Sequence, residues 1–159
     1  MGMLSEDMKR VVRDERLGFV ATVCQDGTPN LSPKGTTTVW DDDHLVFADI
    51  CSPGTIANLK RNPAVEINVV DPIVRKGYRF KGRASLHAAG PLYERGVTFY
   101  RERGVAGAIR TIVLIRVEQA VPVVSPVYDQ GLSEAEVRER WEQHRASLRS
   151  ARGGKPTGE

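Results

Sequence analysis

The stretch Gly27–Asn62, GTPNLSPKGTTTVWDDDHLVFADICSPGTIANLKRN, decides how the chain folds. It reads as turn, strand, turn, strand and then a short helix. Asp26-Gly27 suits a hairpin, because both positions tolerate positive φ. The return strand starts at Pro29. Pro33 cannot donate to a ladder, so an edge or a bulge is expected there. Thr36–Trp40 is a second strand-like run, and Asp41-Asp42-Asp43 is the next turn. Three adjacent aspartates on a hairpin tip do not converge on one metal ion, so the triplet reads as a solvated turn. His44–Ala48 is a strand, and Ser52 or Thr55 caps a helix that Asn62-Pro63 stops.

Two spots in this stretch suit an anion. Ser32-Pro33-Lys34-Gly35 places a lysine and open backbone at a strand break. Ser52-Pro53-Gly54-Thr55 starts a helix, where unpaired N–H groups and hydroxyls point outward. Each has a plainer reading: Lys34 as a solvated lysine, Thr55 as an ordinary helix cap. Capping and phosphate binding use the same helix end, so the sequence leaves that choice open.

Outward from this segment, Ser5, Glu6 and Asp7 start an N-terminal helix with Met8, Val11 and Val12 on its apolar face, ending near Leu17-Gly18. Phe19–Cys24 and Ala64–Val70 read as strands, and Asp71–Gly77 as a basic loop. In Tyr78–Ala88 the alternation sets Arg79, Lys81 and Arg83 on one face, opposite Tyr78, Phe80 and Gly82. Pro91 opens a helix with Leu92, Val97, Phe99 and Tyr100 as its apolar side. Arg110–Val117 is a strand continuing toward Val124, and Ser125–Asp129 is a turn. Ser133 with Glu136 forms a capping box, followed by Val137, Trp141, His144 and Leu148 at helical spacing. Six or seven short strands with peripheral helices predict a mainly β (α+β) Greek-key split barrel, one domain over residues 1–150. Residues 151–159 read as a disordered tail.

At 159 residues the chain is long enough for one real core, and its net charge of +3 is only mildly basic. No apolar run approaches a membrane span. Lys9, Arg10, Arg13, Asp14, Glu15 and Arg16 interrupt any signal-peptide core, so the expectation is a cytoplasmic protein. Cys24 and Cys51 then read as free, buried thiols. His44, His87 and His144 lie far apart, and no clustered pattern suggests a metal. A nucleic-acid-binding barrel needs aromatics on its basic face, whereas Tyr78 and Phe80 point away from the cations. Neither nucleic acid nor membrane is an expected partner.

In order and spacing these pieces resemble the pyridoxamine 5′-phosphate oxidase-like flavoproteins, the FMN-binding split β-barrels. The carriers are Phe19–Val23, Asp26–Asn30, Ser32–Gly35, Leu45–Asp49, Ser52–Thr55 with Asn58-Leu59, Asn62-Pro63, Val70–Pro72 and Arg75–Gly82, within roughly residues 5–128. The resemblance implies a homodimer with FMN at the subunit interface and a small-molecule substrate. By position, Ser32, Pro33, Lys34 and Gly35 would serve the phosphate or flavin edge. Ser52, Gly54 and Thr55 would donate to the phosphate, with Cys51 beside them and Asn58 supporting the loop. Arg75, Lys76 and Arg79 would line the partner's flavin site or bind an acidic substrate, or else be solvated loop and edge-strand charges that block aggregation. Many relatives carry a basic residue where Gly54 stands, so Lys34, Lys60 or Arg79 would supply that charge. No substrate-phosphate set of the true oxidases matches. The implied activity is an FMN-dependent oxidoreductase. Alternatives are a non-catalytic flavin-binding or redox-sensing protein, or the same barrel holding deazaflavin, haem or pyridoxal phosphate.

Overall fold

Seven strands form a single antiparallel sheet in the order β2-β1-β5-β6-β7-β4-β3. The computed structural model describes residues 2–153. Elements follow as α1 (Glu6–Glu15), β1 (Gly18–Val23), β2 (Pro29–Lys34), β3 (Thr38–Val39), β4 (His44–Asp49) and α2 (Pro53–Arg61). Then come β5 (Ala64–Asp71), β6 (Lys76–His87), α3 (Pro91–Glu102), β7 (Thr111–Val124), a 3-10 turn (Pro126–Gln130) and α4 (Glu134–Gly153).

The strand order forces the sheet to curl. Its two edges, β2 and β3, are consecutive in the chain and joined only by residues 35–37. Laid flat, those edges would stand about 29 Å apart, six strand spacings. The link from Lys34 to Thr38 reaches at most about 14 Å. The sheet therefore closes on itself as a split barrel, the expected fold class. Thr36 fastens the seam, its hydroxyl donating to the Ala48 carbonyl (3.1 Å) and accepting from the Ala48 amide (3.0 Å). Tyr100 donates to the Thr36 carbonyl at 2.8 Å. Burial holds the Tyr100 phenol far above its ordinary pKa, so it stays a neutral donor.

The LVFA run of β4 is buried throughout because both its faces are covered. Leu45 and Phe47 enter the barrel core with Val20, Ile67, Phe80, Val113 and Ile115, capped by Val12 of α1 and Leu59 of α2. Val46 and Ala48 pack outward with Ile112 beneath Tyr100 of α3. Gly96 makes that contact possible: a Cβ there would lie 2.5 Å from Ile112 Cγ1. Gly82 sits at the β6–β7 register shift, where a Cβ would come within 2.0 Å of the Arg116 carbonyl oxygen.

Most expected elements stand where the sequence places them. Ser5 caps α1, accepting from the Met8 amide. Pro29 and Pro33 lie in β2, at the sheet's edge. The Ser133–Glu136 capping box forms in both directions. Several details differ. The Thr36–Trp40 run pairs only at Thr38 and Val39, because the preceding residues bend across the seam. The aspartate turn is exposed but not idle: Asp42 pairs with Lys9 at 2.6 Å, Asp43 accepts from the Met3 amide, and Asp41 holds His44. Both cysteines are free, but neither is buried: Cys24 is half-buried just past the end of β1, and Cys51 is exposed because it lies in the loop after β4 and not in a strand. In α4 only Val137 is fully buried, Trp141 is half-buried, and His144 and Leu148 are exposed beyond the barrel wall. That helix continues to Gly153, and the expected tail lies outside the described residues from position 154 onward. No helix among the described residues is long and apolar enough to cross a membrane, and none of their His, Cys, Asp and Glu side chains form a metal-binding group.

Candidate functional site

Lys34 and Ser52 are separated by eighteen positions in sequence, and the fold joins them directly. Lys34 ends β2 opposite Gly18 of β1, and alternation along the strand turns Ser32 and Lys34 to the same face. Its ammonium donates to the hydroxyls of Ser32 and Ser52, the latter at 2.7 Å. Lys34 is 7% exposed and makes no ion pair among the described residues. Burial pulls its pKa below the ordinary lysine value, and the negative charge of Asp49 partly opposes that shift. Asp49, itself buried, is occupied by the Ser52 amide, which donates to its Oδ1 at 2.8 Å.

Ser52 is also the N-cap of α2, and its side chain makes no capping bond. Its hydroxyl accepts from Lys34, while its carbonyl accepts from the Ile56 amide at 3.1 Å. The first-turn amides of Gly54 and Thr55 have no acceptor within the helix, and Pro53 has no amide proton to satisfy. Gly54 and Gly35 both face open space where a Cβ would project. The corner thus combines a buried cation held by neutral hydroxyls, a helix N-terminus and room for an anion.

Not all the residues named from sequence meet here. Ser32, Lys34, Ser52 and the first turn of α2 with Gly54 and Thr55 come together, with Gly35 next in chain. Cys51 is exposed beside Ser52, and Pro33 is exposed in β2 opposite Phe19. Asn58 ties α2 to β1: its Nδ2 donates to Thr22 Oγ1 at 3.0 Å and its Oδ1 accepts from Arg61. Arg75 lies in the β5–β6 turn with φ 57°, its guanidinium 3.5 Å from the Trp141 ring centroid. Lys76 sits over the Tyr128 ring and pairs with Glu134 at 3.2 Å. Arg79 pairs with Glu66 at 3.0 Å. In this chain, therefore, Arg75 and Lys76 fasten the C-terminal segment, and Arg79 sits on the outer strand surface. Asp49 was the residue the sequence reading passed over. An aspartate closing an apolar strand three positions before a Ser-Pro helix start was the available signal, because that spacing lets the carboxylate accept the N-cap amide.

A family model described as pyridoxamine 5′-phosphate oxidase matches residues 4–156. Among solved structures, HupZ of Group A Streptococcus is 31% identical with a TM-score of 0.71, over 77% of this chain and 96% of HupZ. A Lactobacillus delbrueckii protein provisionally described as a pyridoxamine 5′-phosphate oxidase is 22% identical, TM-score 0.67, over 76% and 95% of the two chains. An FMN-binding protein of Syntrophomonas wolfei is 15% identical, TM-score 0.65, over 76% and 86%. The last two likenesses bear on the fold alone. No curated protein is significantly similar in sequence.

Proposed function

The chain belongs to the pyridoxamine 5′-phosphate oxidase family, and from that premise we propose that it is an FMN-binding flavoprotein, an oxidoreductase acting on a small molecule. The observation that carries this reading is Lys34. A buried ammonium whose hydrogen-bond partners are two hydroxyls is compensated only in part, by the nearby charge of Asp49, and that shortfall is costly in a protein interior. A phosphate seated against it would supply that compensation and would also take the free amides of Gly54 and Thr55. Ser52 would turn its hydroxyl toward the same oxygen atoms, and Asp49 would hold the Ser52 backbone in place. Lys34 thus replaces the basic residue that Gly54 does not provide.

FMN, when bound, supplies hydride and electron transfer; the protein's part is to orient it and control its surroundings. The family resemblance supports a homodimer that shares the cofactor between subunits. Exposed apolar side chains on β1 and β2, Phe19 at 42% and Leu31 at 65%, fit a partner packing on that face. A cytoplasmic location fits the two free cysteines.

The test is a visible spectrum of the purified protein, mass measurement of any extracted ligand, and titration of the stripped protein with FMN. Flavin absorbance and saturable binding that Lys34→Met and Thr55→Ala weaken would support the assignment. A deazaflavin, haem or pyridoxal phosphate mass would replace FMN while keeping the fold. Turnover of a reduced nicotinamide with an electron acceptor separates an enzyme from a non-catalytic flavin carrier.

A further inference from the structure

Asp49 closes β4 and is 4% exposed. Its backbone carbonyl accepts from the Arg110 amide at 2.8 Å, which fixes it beside the segment entering β7. Its Oδ1 accepts from the Ser52 amide at 2.8 Å, and no other hydrogen bond reaches the carboxylate among the described residues. An asparagine would accept the same amide without taking a charge out of water. The hydrogen bond therefore accounts for an oxygen atom at this position but not for its negative charge.

That charge has a counterpart in Lys34, which is also buried. The Lys34 ammonium donates to the hydroxyls of Ser32 and Ser52, so two of its three donors are used and one is left. Burial lowers the Lys34 pKa, and the charge of Asp49 acts against that fall. Yet the two side chains form no ion pair among the described residues. Ser52 stands between them, giving its amide to Asp49 and taking the ammonium on its hydroxyl. A direct bridge would spend the lysine on the aspartate. Separation lets the two charges attract while the last ammonium donor stays open. Ser52 depends on the same carboxylate, since it is the N-cap of α2 and makes no side-chain capping bond.

We propose that Asp49 is the positioning residue of this corner: its carboxylate fixes the Ser52 N-cap and, as a counter-charge held out of contact, keeps Lys34 cationic and free for an incoming phosphate. The inference rests on the reading of the corner as a phosphate site and adds the residue that prepares it while it is empty.

The experiment uses full-length protein stripped of ligand and isotope-labelled at lysine. The Lys34 Cε resonance, identified by its loss in Lys34→Met, is followed against pH. Asp49→Asn keeps an acceptor for the Ser52 amide and moves the Lys34 midpoint to lower pH. Glu66→Gln, an equal change in charge beside Arg79 and Lys81 on the outer strand surface, leaves it in place. In FMN titrations, Asp49→Asn moves the alkaline loss of affinity down by the same interval. Asp49→Ala, which also frees the Ser52 amide, weakens binding about tenfold below that limb. A Lys34 midpoint that Asp49→Asn does not move, or that Glu66→Gln moves as far, overturns the proposal. Equal FMN affinity of Asp49→Ala and Asp49→Asn overturns the part that concerns Ser52. The lysine titration needs no ligand, so a shifted midpoint in protein that binds no FMN overturns the flavin reading and upholds Asp49 as the group that keeps Lys34 charged.

Discussion

Replacing Lys34 with methionine should move two measurements in opposite directions. Methionine keeps the length and apolar volume of the buried stem and removes the charge. In the folded protein Lys34 is 7% exposed and donates to Ser32 and Ser52, with Asp49 nearby but bonded elsewhere. Replacing an imperfectly compensated buried charge by a well-packed apolar group is often neutral or stabilising, here by up to about 2 kcal/mol. The two serine hydroxyls keep other rotamers available, which limits the loss. Binding should respond with the reverse sign. Removing one partner of a buried, hydrogen-bonded charge pair costs about 2–5 kcal/mol, so FMN affinity should fall by about thirtyfold or more. Urea unfolding of the stripped protein gives the first number, and flavin fluorescence titration the second. The pH dependence sharpens the test. Because burial lowers the folded pKa of Lys34, its charge opposes folding at neutral pH, and stability rises as pH climbs from the folded value toward the unfolded value of about 10.4. FMN affinity should weaken over the same rise, and Lys34→Arg should remove that inflection because its charge persists. A Lys34→Met protein that is markedly less stable yet binds FMN normally would refute the reasoning, since it would make Lys34 a structural bond and nothing more.

Further outcomes follow from the packing. Gly96→Ala should destabilise by about 1–3 kcal/mol, because its Cβ drives into Ile112 and lifts α3 from the sheet; the urea midpoint would drop with an unchanged slope. Arg75→Ala should loosen α4 while leaving the barrel intact, by removing a cation–π contact worth about 0.5–2 kcal/mol. Amide exchange should then speed up in α4 alone; uniform acceleration would contradict that division. Tyr78 donates to Asp7 and is the main reason the Asp7 carboxyl titrates below its usual value, with Arg10 next. The stability from that bond is present above the ordinary aspartate pKa and is lost as pH falls through the lowered folded value. Tyr78→Phe should therefore flatten the acid limb of a stability profile, near the low end of about 0.5–1.5 kcal/mol because Asp7 is largely exposed.

Local chemistry made much of this molecule legible in its residues. Ser5, Pro53, Pro91 and the Ser133–Glu136 pair mark helix starts, since a cap or proline acts within one turn of itself. Asp26-Gly27 marks a hairpin, and the two prolines of β2 mark an edge. The order of the motifs also carried the split-barrel family, and both halves of the Lys34–Ser52 corner were visible as anion-suited segments. Tertiary structure alone decided the rest. Lys34 and Ser52 meet because a short seam forces two sheet edges together, a constraint that belongs to strand order and not to any window of residues. Arg75, Lys76 and Arg79 are taken up by Trp141, Glu134 and Glu66 for the same reason. A side chain's charge is written in the sequence, but whether that charge is spent on a neighbour or left for a ligand depends on distances that only the closed barrel sets.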